Sequence, residues 1–104
     1  MDEAEFYQLL KMSALDALRL ALGKSAMEIL CYKFKLDELI LDAKAFHTTL
    51  YSLFSDGSVV IEKIIIKEIY KRIGLQYQYD TAFNFENALS DARRQALGRD
   101  EIHV

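Results

Sequence analysis

Histidine, cysteine, serine and the acids are the side chains that could do chemistry in this chain, and their spacing offers little of it. His47 and His103 are the only histidines, and Cys31 is the only cysteine. Neither histidine has a second ligand three or four residues further on. A zinc site would have to recruit carboxylates from distant segments. His47 stands beside Phe46, Thr48 and Thr49, a setting that predicts a solvated or hydrogen-bonded imidazole. Cys31 lies between Leu30 and Tyr32, which predicts a small buried hydrophobe. Alone it can form neither an intrachain disulfide nor a thiolate cluster. Ser13, Ser25, Ser52, Ser55, Ser58 and Ser90 have no visible base partner and no nucleophile-elbow context. The four glycines are too far apart for a phosphate-cradling loop. The residues predict a non-enzymatic protein with no cofactor and no metal.

Glu62 stands out among the acids. On a helical wheel it falls between Ile66, Ile69 and Ile73, within the most apolar stripe of the chain. A buried carboxylate without a partner is expensive. Two readings stay open. Glu62 is an acid in the second turn of its helix, helped by the dipole and a neighbouring segment, or it is a polar contact that sets specificity at an interface.

Lys63, Lys67 and Lys71 form a basic stripe at i, i+4 and i+8, with Arg72 beside it. With the preceding helix and the turn at Ser55–Ser58 they outline a helix-turn-helix pair, and the stripe would then touch phosphates. Against that reading, Val59, Val60 and Ile61 occupy the end where a recognition helix needs polar side chains. A solvated lysine face is favoured over nucleic-acid contact. Tyr77, Tyr79, Phe83 and Phe85 cluster aromatics without interleaved basic residues, which argues for core capping or a partner pocket rather than base stacking. A third reading is a small-molecule pocket lined by Phe46, Phe54, Tyr70 and Tyr77.

The elements that must position these residues follow from composition and periodicity. The 104 residues include no proline and four glycines. Without proline, breaks must come from glycine or capping side chains. Hydrophobic residues make up 52% and charged residues 28%, which describes one globular domain rather than a disordered chain. The net charge of −3 has the wrong sign for coating nucleic acid or an anionic membrane. The acidic start at Met1-Asp2-Glu3 is unlike a signal or transit peptide, and the longest uncharged stretch is too short to span a bilayer. A soluble, cytoplasmic protein is expected.

The first helix is predicted from about Glu3 to Leu22, capped by Asp2, with Phe6, Leu10, Ala14, Ala17, Leu18 and Ala21 on one stripe. Ser25 and Glu28 have capping-box spacing and predict a second helix from Ala26, with Ile29, Leu30, Tyr32 and Phe34 inward. Lys35 to Asp42 reads as a bend with one loose turn. Asp42 caps a third helix carrying Phe46, Leu50, Leu53 and Phe54. The fourth, Val59 to Ile73, is β-branched, but its paired charges repeat every four to five residues and mark a helix. An extended Leu75–Tyr79 connector follows. The last helix is capped by Asn84, with Phe83 as the other half of a hydrophobic staple, and carries Phe85, Leu89, Ala92 and Ala96 to Gly98.

The sum is an all-α bundle of about five helices in a single domain, residues 1–104. The first and fourth helices carry more apolar surface than one face can bury. Leu18, Leu22, Val60, Ile61, Glu62 and Ile64 are the interface candidates on that account, for a packed or intertwined homodimer or for another protein. The competing arrangement is a single central helix wrapped by the others.

A family resemblance adds a setting. Leu22-Gly23-Lys24-Ser25, Ile29, Tyr32, Phe46 and Leu50 resemble the opening of a small archaeal helical domain. Leu53-Phe54-Ser55-Asp56-Gly57, Ile61-Glu62 and Ile69-Tyr70 are similar to that family's later signature. The family is the Nitrosopumilus-type "output domain" of archaeal signalling proteins, and the match covers roughly residues 15–75. The chain departs from the pattern at Ser55, where the family has Gly, and at Ala43-Lys44. The resemblance implies a signalling or regulatory setting without catalytic residues or cofactor, with Gly57 as turn former and Glu62 as interfacial acid.

Overall fold

The computed structural model describes residues 1–78 and 82–98. Every regular element among them is helical. Helix α1 spans Glu3–Leu22 and opens on a full capping box: Glu5 N–H donates to Asp2 Oδ1 at 2.8 Å and Asp2 N–H to Glu5 Oε1 at 3.1 Å. Gly23, at φ 89°, turns the chain directly into α2, Lys24–Phe34. Helix α2 therefore starts earlier than Ser25 and Glu28 predict. Ser25 lies inside its first turn, and Met27 N–H already bonds Gly23 O at 3.1 Å. Lys35 ends α2 in the left-handed region, and α3, Leu36–Leu39, is the single loose turn expected there. Helix α4, Ala43–Phe54, is capped by Asp42, whose side chain accepts from Ala45 N–H at 3.1 Å. A 3-10 turn at Ser55–Gly57 leads into α5, Ser58–Arg72. Leu75 N–H to Tyr70 O and Gly74 N–H to Lys71 O, at 2.9 and 3.3 Å, close α5 in a Schellman motif. Leu75–Gln78 is non-helical, and Tyr79, the last residue of the expected connector, lies outside the described residues. Helix α6, Phe85–Gly98, is capped by Asn84, which accepts from Asn87 N–H at 2.9 Å.

The isoleucine-rich helix sits at the centre: α5 packs against α1, α4 and α6. Ile61, Ile65, Ile66, Ile69 and Tyr70 are buried along it, and Ile65, Ile66 and Ile69 are fully enclosed. The expected α1 stripe is buried from Phe6 to Leu18, whereas Ala21 is exposed. Phe46 and Leu50 of α4 and Phe85, Leu89, Ala92 and Ala96 of α6 complete the core. The isoleucine content of α5 is thus largely absorbed by this chain's own helices, which leaves Val60 as the exposed large hydrophobic on that helix.

Helix α2 keeps Leu30 inward as expected but is rotated so that Ile29 and Tyr32 face outward. Met27 is buried and Leu30 and Cys31 are half-buried, while Ile29 is 62% and Tyr32 89% exposed. Met27, Leu30 and Cys31 fall at i, i+3 and i+4 and form the inward stripe, with Phe34 at i+7. Ile29 and Tyr32 lie beside it, outside the contact with α1 and α3. Phe34 sits at the edge of the stripe and is itself exposed, at 36%.

Candidate functional site

The most unusual side-chain arrangement joins α4 to α5. Glu62 lies in the second turn of α5 and is 1% exposed. Its Oε2 is 2.6 Å from His47 Nδ1, a contact across 15 residues of sequence. The His47 side chain keeps 40% of its surface. One partner is therefore in the core and the other reaches solvent. Burial pushes the Glu62 carboxyl above its ordinary value, and the hydrogen bond and charge of His47 pull it partly back. The first turns of α5 also present a positive dipole end, which helps a carboxylate.

His47 and Glu62 border a recess of about 210 Å³ completed by Val59, Phe83, Asn84, Phe85 and Glu86. A carboxylate holding one ring nitrogen fixes the orientation of an imidazole and leaves the other nitrogen for a ligand or water. Such a pair can store and exchange a proton. No group of three or more His, Cys, Asp or Glu residues able to hold a metal occurs among the described residues.

Comparison with protein-family models, with curated proteins and with solved structures finds no match to this chain.

The candidates drawn from the sequence separate in space. Leu18, Ile61 and Glu62 are buried in the chain's own core. A partner would reach them only by displacing α1, α4 or α6. Leu22 and Ile64 are half-buried, and Val60 is 61% exposed. Of the two readings of Glu62, the intramolecular one describes its surroundings, with α4 as the neighbouring segment.

The basic stripe is partly occupied. The Lys63 ammonium lies 5.7 Å from the centre of the Phe83 ring. Arg72 turns to α1, where it donates to Ser13 Oγ at 3.2 Å and pairs with Asp16. Arg72 is thus committed to α1, while Lys67 and Lys71 face solvent.

The pocket expected between four aromatic side chains does not form. Phe46 is fully buried and packs on Phe85 at 5.7 Å between ring centres. Phe54 is half-buried and does not line the recess that Tyr70 borders. Tyr70 and Tyr77, 4.9 Å apart, instead border a recess of about 470 Å³ with Gln76, Asn87, Asp91 and Gln95. Its lining combines amide side chains with the rings of Tyr70, Tyr77 and Phe83.

The contact of His47 with Glu62 was missed from the sequence because no periodicity connects two helices. The wheel position of Glu62 was the available signal. It demanded a partner without naming one. His103 lies outside the described residues.

Proposed function

We propose that this chain is a non-enzymatic helical interaction domain that pairs with a second copy of itself through the outward face of α2. The observation that carries the reading is the exposure of Ile29 and Tyr32, one turn apart on a helix whose inward side already has its own apolar stripe. Tyrosine with an adjacent aliphatic side chain is the composition of interface anchors. The rim of this face carries both charge signs, with Lys24 ion-paired to Glu28 at 3.9 Å and Lys33 close by. A chain of net charge −3 meets little self-repulsion there. Closed two-fold pairing of one patch with its copy is the commonest assembly of soluble proteins. This reading moves the contact from the first and fourth predicted helices to α2, with Val60 of α5 as a separate exposed position. A signalling or regulatory role, which the sequence resemblance implies, would use such pairing to bring attached or associated modules together.

Light scattering at two protein concentrations tests the reading. The expected result is a mass rising toward the dimer for the natural chain and a constant monomer mass for the Ile29→Ser/Tyr32→Ser variant. A natural chain that stays monomeric at both concentrations overturns it.

A further inference from the structure

We propose that His47 and Glu62 form a proton-operated clasp between α4 and α5, whose deprotonation admits water to Glu62 through the recess bounded by Val59 and residues 83–86. The geometry supplies the parts. Glu62 is 1% exposed, its carboxylate contacts a half-exposed imidazole at 2.6 Å, and both border a recess of about 210 Å³. That volume holds several waters, each occupying about 30 Å³.

With one proton the pair is neutral, as carboxylate and imidazolium or as acid and imidazole. Without it, a negative charge stands in the core. A charge so placed is relieved by hydration, and the recess is the adjacent route for water. The surrounding charges do not replace His47. Glu86, from α6, brings a second carboxylate to the recess. The Tyr51 ring of α4 is 6.3 Å from the His47 ring. Lys63 of α5 has its ammonium over Phe83. Asp56, in the 3-10 turn, is exposed. The ion pair of Asp16 of α1 with Arg72 lies toward the other end of α5, about 15 Å along its axis from Glu62.

The direction of the effect is fixed by burial. Burial raises the folded-state pKa of Glu62 above the ordinary 4.5, so the folded chain holds the carboxyl proton more tightly than the unfolded chain does. The associated stability is fully present below the ordinary carboxylate value and is lost as pH rises through the raised one. Alkalinisation therefore loosens the joint of α4 with α5.

Thermal unfolding of the full chain from about pH 4 to about pH 8, beside Glu62→Gln, tests the clasp. The natural chain is expected to lose melting temperature relative to Glu62→Gln as pH rises, by about 4 °C or more. Parallel profiles would overturn the proposal. A nuclear magnetic resonance titration of the unaltered chain gives an independent reading should the variant not fold. The His47 ring and the Glu62 amide should then share one midpoint, whereas unrelated midpoints reject the clasp.

Discussion

Arg72, at the last position of α5, donates a hydrogen bond to Ser13 Oγ of α1 at 3.2 Å and pairs on its other side with Asp16. The guanidinium thereby fastens the C-terminal end of the central helix to the middle of the longest one. Ser13 Oγ donates in turn to Leu9 O at 2.7 Å, so the hydroxyl is satisfied in both roles. A terminal arginine also suits the negative end of the α5 dipole.

Arg72→Ala should lower stability by about 1 kcal/mol, because Asp16 keeps more than a third of its surface in water and solvent screens the pair. Urea unfolding of Arg72→Ala, Asp16→Ala and the double variant checks this. Coupling of roughly 0.5 kcal/mol or more is expected from a pair in contact. Strict additivity would show that the contact contributes nothing.

The turn before α5 holds two neighbouring residues with opposite backbone demands. Ser55 has φ 50° and ψ −129°, a region that L-residues avoid, whereas Gly57 sits at φ −64° and ψ −20°, an ordinary helical conformation. Ser55→Gly should therefore stabilise the chain by about 1 kcal/mol through relief of strain, offset in part by a more flexible unfolded state. Gly57→Ala should be neutral or stabilising by a few tenths of a kcal/mol, since its new Cβ would meet Phe54 Cβ at 3.8 Å, an ordinary contact. Thermal melts of the two variants check the pair. The opposite ranking, with Gly57→Ala damaging and Ser55→Gly neutral, would contradict the assignment of strain to Ser55.

The same turn shows what the sequence made legible. In a chain without proline, Gly23 and Gly74 mark helix breaks and take positive φ, whereas the break after α2 falls on Lys35. Gly57 lies in the 3-10 turn without a positive φ, and the strained conformation falls on Ser55. Asp2, Asp42 and Asn84 could be read as caps because capping is local: each side chain accepts from an amide three residues on. Helix α2 was misread for a non-local reason. Ile29 and Tyr32 carry more apolar surface than Cys31, yet which stripe turns inward is decided by where α1 lies, and the abrupt turn at Gly23 fixes that. Glu62 shows the same limit. Its helical position exposed the conflict between charge and apolar surroundings, but His47 belongs to another helix.

Tyr70 gives a prediction at alkaline pH. Its ring is 6% exposed, and its hydroxyl accepts a hydrogen bond from Gln95 Nε2 at 3.0 Å. Burial raises the phenol above its ordinary 10.0, and the nearby Asp91 carboxylate raises it further, while Arg94 and the Gln95 bond act in the opposite direction. An ultraviolet titration should therefore contain a tyrosine that ionises later than an ordinary phenol, and Tyr70→Phe should remove that late step. Because the folded state holds the phenolic proton more tightly, the contribution of Tyr70 to stability is complete below the ordinary value and declines as pH rises through the raised one. The variant also loses the Gln95 bond, at a cost of about 1 kcal/mol near neutral pH, since half-buried Gln95 can turn toward water. Its stability should fall less steeply than that of the natural chain above about pH 10. An unchanged late ionisation in Tyr70→Phe would assign that step to another tyrosine and remove Tyr70 from the alkaline transition.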